Sequence, residues 1–106
     1  MADTVVRARL KPAATTLTDL YTATGNTTIS SIVVCNQSST ATTLRIAVAP
    51  LGAADDTSHY DYYDVAIPGN NTLVLTGGIS LVNTDKIRVY VGAATVSLGL
   101  YGVIWT

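Results

Sequence analysis

Apolar and polar residues alternate with a period of two along most of this 106-residue chain, the mark of strands with one covered face. In residues 43–50, Leu44, Ile46 and Val48 fall on one side of an extended backbone, with Arg45, Ala47 and Ala49 on the other. Residues 85–92 set Ile87, Val89 and Val91 against Lys86, Arg88 and Tyr90. Residues 95–106 set Val96, Leu98, Leu100, Gly102 and Ile104 against Ser97, Gly99, Tyr101, Val103 and Trp105. Tyr63, Val65 and Ile67 make a fourth inner row. Residues 28–36 and 72–76 carry more continuous apolar runs, which predicts strands covered on both faces. Residues 4–10, 16–22 and 79–81 carry weaker strand signals.

Turn chemistry separates these segments: Gly25-Asn26, Gln37-Ser38-Ser39, Pro68-Gly69-Asn70-Asn71, Gly77-Gly78 and Val82-Asn83-Thr84-Asp85. Short strands at intervals of about 8–14 residues predict an all-β fold, an antiparallel β-sandwich of seven to nine strands. Jelly-roll and immunoglobulin-like connectivities both fit. Residues 13–106 read as one domain, and residues 1–12 as an N-terminal arm or edge strand.

Composition narrows the function classes. Only 12% of residues are charged and the formal net charge is −1, against about 25% charged in an average domain. The chain has no Glu, no Phe, one Gln and two Lys, but 17 Thr. Residues that helices favour on a solvent face are therefore scarce, which argues against a helical bundle. Clustered cations for phosphate contacts are scarce too, which argues against nucleic-acid binding. A hydrophobic content of 48% excludes disorder. No run of about 18 apolar residues suggests a membrane span, and the N-terminal residues lack the apolar stretch of a secretory signal. Cys35, following Ile32-Val33-Val34, is expected as a buried small hydrophobe. Three N-x-[ST] triplets, at Asn26, Asn36 and Asn70, read as accidents of a Thr-rich composition.

Candidate chemistry is thin. Residues 55–64, DDTSHYDYYD, hold the only His together with four of the seven acidic residues. Asp55, Asp56, Asp61 and Asp64 match no calcium-loop spacing, and Asp61 and Asp64 fall on opposite faces of a regular strand. No nucleophile elbow or phosphate-cradling glycine loop is present. The expectation is a non-enzymatic protein with no metal, no cofactor and no catalytic residues. Surface features are stronger. Arg7, Arg9 and Lys11 hold half of all Lys and Arg at alternate positions, either an arm for an acidic partner or an edge strand blunted by charge. Tyr60 and Tyr62 are expected on one strand face, with Tyr63 opposite. Tyr101 and Trp105 share an apolar second face near the C-terminus, and such residues anchor interfaces.

Four segments carry a resemblance: residues 12–21 (PAATTLTDLY), 31–37 (SIVVCNQ), 42–50 (TTLRIAVAP) and 59–64 (HYDYYD). Over residues 12–106 the chain resembles small Thr/Ala-rich virion structural proteins of tailed bacteriophages. The resemblance implies a non-enzymatic β-sandwich located in a virion, of capsid cement or decoration type and commonly trimeric. Its partners would be further copies of itself and the major capsid protein or another virion protein, with no direct nucleic-acid or membrane contact. Neck, tail or fibre components are the alternative, as is a receptor- or glycan-binding module built on the loop 51–59. Arg7, Arg9, Lys11, Tyr60, Tyr62, Tyr101 and Trp105 are the expected contact residues.

Overall fold

A computed structural model describes residues 4–76 and 78–105. Residues 1–3 of the N-terminal segment, Gly77 of the Gly-Gly turn and Thr106 at the end of the last predicted strand lie outside them. The described residues form nine strands: β1 (Thr4–Leu10), β2 (Thr18–Thr22), β3 (Thr27–Asn36), β4 (Thr42–Ala49), β5 (Tyr60–Ile67), β6 (Thr72–Leu75), β7 (Ile79–Leu81), β8 (Lys86–Val91) and β9 (Val96–Ile104). Two short 3-10 turns, Pro50–Gly52 and Thr57–His59, lie between β4 and β5.

The strands pair antiparallel in two sheets. One has five strands in the order β1-β9-β3-β6, with β7 pairing the first residues of β3 beyond the reach of β6. The other has four, in the order β2-β8-β4-β5. The chain changes sheet between β1 and β2, β2 and β3, β3 and β4, β5 and β6, β7 and β8, and β8 and β9. This is the two-sheet jelly roll with β7 added, which excludes the immunoglobulin-like alternative.

Alternation along each strand delivers one aliphatic row per strand to the space between the sheets. Val6, Ile29, Ile32, Val34, Val96, Leu98 and Leu100 come from the five-stranded sheet. Leu20, Leu44, Ile46, Ile67, Ile87, Val89 and Val91 meet them from the four-stranded sheet. No aromatic ring is among the buried core residues; Tyr21 and Tyr62 pack against its margin. Thr27 and Asn36, buried polar residues, close the two ends of β3.

Bulges break the period at specific residues. Ser30 is the extra residue where the β3–β9 register shifts, so Ile29 and Ile32, three apart, both point inward. On β5, Val65 faces Leu44 and Tyr62 faces Ile46, leaving Tyr63 and Asp64 together opposite Arg45. Asp64 takes φ 52°, the left-handed conformation that lets one strand carry two residues against one.

These bulges correct two expectations. Tyr63 is not in the inner row; Tyr62 takes that place, and Tyr63 is exposed. Tyr60 and Tyr62 therefore do not share a face, because a further register shift between Ile46 and Ala47 separates them. Two other expectations also change. β6 is not covered on both faces: it is an edge strand, and Val74 is exposed. Cys35 is half-buried, because the period-two rule gives Val34 the core side and turns Cys35 outward.

Candidate functional site

With the inner faces filled, the candidate site is the outer surface of each sheet. On the five-stranded sheet, period two turns Val5, Arg7 and Arg9 of β1 outward because Val6, Ala8 and Leu10 face the core. Register then assembles a patch. Val5 lies opposite Val103, Arg7 opposite Tyr101 and Arg9 opposite Gly99. Val103 lies opposite Thr28, and Val33 sits between Gly99 and Val74. Val5 is 73% exposed, Trp105 63%, Val74 59% and Val103 38%, an unusual amount of bare aliphatic and aromatic surface on one side of a small sheet.

Three of the expected contact residues, Trp105, Arg9 and Tyr101, are held in place there. The Trp105 indole N–H donates to Thr28 Oγ1 at 2.9 Å, and its backbone N–H donates to the Asn26 carbonyl at 2.8 Å. Trp105 thus has a fixed pose with its ring in solvent, beside a cleft formed by Asn26, Thr28, Ser80 and Val82. The Arg9 guanidinium lies 5.8 Å over the Tyr101 ring and donates to its hydroxyl. Arg7 and Lys11 are exposed and carry no ion pair among the described residues. β1 is an edge strand.

The four-stranded sheet has a different outer face. Arg45 is stacked between Tyr63 (4.2 Å) and Tyr90 (4.6 Å) and grips Asp64 with two hydrogen bonds of 2.7 and 3.3 Å. The Arg45 guanidinium holds the Asp64 carboxyl below the ordinary carboxylate range. Tyr60 meets the Tyr63 ring edge-on at 5.3 Å, and its hydroxyl donates to Asp55. Burial, then that hydrogen bond, raises the Tyr60 phenol. Lys86 and Arg88 both bind Asp19, and Lys86 is the larger cause of its lowered pKa. Arg88 also donates to the carbonyls of Ala53 and Gly52, tying the loop between β4 and β5 over this face. Asp85 fixes the start of the same loop by accepting from the backbone N–H of Leu51 and Val82.

The His and Asp residues of segment 55–64 do not converge. Asp56 caps the second 3-10 turn, accepting from the Ser58 N–H, which lowers its pKa. Asp55 serves Tyr60 and Asp64 serves Arg45. Asp61 borders a different hollow, with Ser30, Ser31 and Tyr62. His59 Nδ1 is buried without a hydrogen-bond partner. Among the described residues, no three His, Cys, Asp or Glu side chains form a group able to hold a metal ion. The Arg45-Tyr63-Tyr90 stack is not legible in the sequence. Alternation placed Arg45 and Tyr90 outward, but their pairing needs the β4–β8 register, and Tyr63 joins them only through the bulge.

No protein-family model matches the chain, and no curated protein matches it in sequence. Its fold is similar to that of a chain in the solved structure described as "Capsid of Ralstonia phage GP4", with a TM-score of 0.52. The match covers 99% of this chain and 86% of that one at 17% identity, so the shared property is the fold.

Proposed function

We propose that this chain is a non-enzymatic structural protein of a phage virion, a capsid cement or decoration subunit that works as a homo-oligomer by burying surface against protein neighbours. The observation that carries the reading is the outer face of the five-stranded sheet: Trp105 hydrogen-bonded into a fixed pose yet exposed, beside bare Val5 and Val103. A pre-positioned aromatic loses little conformational entropy on docking, which favours it as an anchor. The fold shared with a phage capsid chain supports the reading by analogy.

The glycan-binding alternative draws less support. Tyr62 packs against the core, and Tyr63 carries Arg45 over its ring. The test is the composition of purified particles of the source phage. The chain should be present in stoichiometric copies and resist washing, and Trp105→Ala should lower its occupancy. Its absence from purified particles would overturn the proposal.

A further inference from the structure

Charge is distributed between the two sheets unevenly. The strands of the five-stranded sheet contain no acidic residue, and with Lys11, directly after β1, their cations are Arg7, Arg9 and Lys11, a formal +3. All six described carboxylates belong to the four-stranded sheet or to segments entering it: Asp19, Asp55, Asp56, Asp61, Asp64 and Asp85. The cations there are Arg45, Lys86 and Arg88, all in salt bridges, so three cations against six carboxylates leave −3. Asp55 and Asp56, on the loop between β4 and β5, are exposed and have no cation partner among the described residues, whereas Asp61 borders Ser30 and Ser31 of the five-stranded sheet. Asp3, the seventh carboxylate that brings the net charge to −1, lies outside the described residues; those described form a sandwich with one positive and one negative side, its sheets about 10 Å apart.

Resting on the reading of the chain as an assembly protein, we infer that its partner is a second copy bound head to tail. The outer face of the five-stranded sheet, with Arg7, Arg9 and Lys11, docks against the side of the next copy that carries Asp55 and Asp56. Both halves of the match are present on one molecule. Such a contact is heterologous, and because it joins opposite faces of one sandwich it propagates in one direction as an open stack of copies. The area is adequate. Four strand positions and nine-residue strands such as β9 give a face of roughly 600 Å², the lower end for one partner of a stable complex. At that size the apolar residues fit a modest affinity, and the charges decide which faces meet.

Sedimentation velocity on the full chain tests this at about 20 mM and 500 mM salt, where screening lengths differ several-fold. The wild-type chain should self-associate, at least about tenfold more tightly at low salt. Arg7→Asp/Lys11→Asp and Asp55→Lys/Asp56→Lys reverse one side each, and circular dichroism confirms folding. Each variant alone should be monomeric. Mixed together they should co-assemble, because one then has two acidic sides and the other two basic sides. A monomeric wild type would overturn the inference, as would association that ignores both reversals, association lost in the basic-side variant but kept in the acidic-side one, or a mixture that fails to co-assemble. Particle composition tests the virion reading separately, so the two can fail independently.

Discussion

Asn36 offers the most exacting test of how the jelly roll is held at one end. It is 1% exposed at the end of β3 and joins three connections. Its side-chain amide donates to the carbonyl of Thr40 at 2.9 Å and, at 3.4 Å, to those of Ile67 and Pro68. Its Oδ1 accepts from the Ser38 N–H at 3.1 Å and from the Thr95 hydroxyl at 3.0 Å. One side chain thus ties the turns after β3, β5 and β8. In Asn36→Ala, the exposed Thr40 carbonyl can turn to water. The Ile67 carbonyl, buried in its bond to Asn36, cannot do so as readily. Two lost bonds at about 1 kcal/mol each plus one unsatisfied buried acceptor give a cost of about 3 kcal/mol. With a urea m-value of about 1–2 kcal/mol/M for a small domain, the midpoint should fall by roughly 1.5–3 M.

Asn36→Asp sharpens the test. It keeps both acceptor contacts and replaces the donor by a carboxylate facing three carbonyl oxygens. It should match or exceed the alanine cost at pH 7. The same surroundings raise its pKa, so the folded state binds its proton more tightly than the unfolded chain does. The deficit should therefore shrink as pH falls towards about 4 and the carboxyl regains a proton to donate. Urea titrations followed by far-ultraviolet circular dichroism at several pH values read both effects. An alanine cost below about 1 kcal/mol, or an aspartate variant as stable as the wild type at pH 7, would refute the account.

Two further outcomes follow from local geometry. Gly102→Ala places a Cβ 2.2 Å from the Thr28 carbonyl oxygen and 2.9 Å from Ile29 Cα, and overpacking against backbone should cost about 3 kcal/mol or more; Gly78→Ala has open space but sits at φ 72°, so its cost should be only about 1 kcal/mol, and equal melting shifts for the two would refute the reasoning. Asp19 and Asp64 have lowered folded-state pKa values through Lys86 and Arg45 respectively, so their contribution is complete above the ordinary carboxylate pKa of about 3.9 and is lost as pH falls through the folded values; the urea midpoint should drop between about pH 4 and pH 2, and Asp19→Asn/Asp64→Asn should flatten that drop, whereas an unchanged slope in the double variant would refute it.

Much of the fold is legible in residue pattern. Alternation in β4, β8 and β9 assigns Leu44, Ile46, Ile87, Val89, Leu98 and Leu100 to the core, where the structure places them. Period-two reasoning fails where the backbone inserts a residue. The bulge at Tyr63-Asp64 exchanges Tyr62 and Tyr63 between faces, and no turn signal announces it, because Asp64 reaches a left-handed φ without glycine. Sheet order is illegible for a different reason. Val5 meets Val103 and Arg7 meets Tyr101 across more than ninety residues of chain, through a β1–β9 pairing that no local preference encodes. Tyr101 and Trp105 were recognisable as outward-facing from their own strand. Val5 and Val74 join their surface only through sheet order.

The shortage of charge takes on a specific meaning once the sheets are known. A bare apolar sheet face bordered by an edge strand invites a like face from another copy. In this molecule that contact would bring Arg7, Arg9 and Lys11 of two copies together, with no carboxylate among the described residues of the five-stranded sheet's own strands. The same holds for two copies joined through their four-stranded sheets, where Asp55 and Asp56 would face their counterparts. Like charges brought together cost several kcal/mol in a desolvated contact. Only the unlike pairing escapes that cost. Sparse charge, sorted by sheet, can therefore select orientation where a densely and evenly charged surface could not. In the proposed assembly the β1 cations would serve two uses at once: blunting the edge against random pairing and directing the pairing that remains.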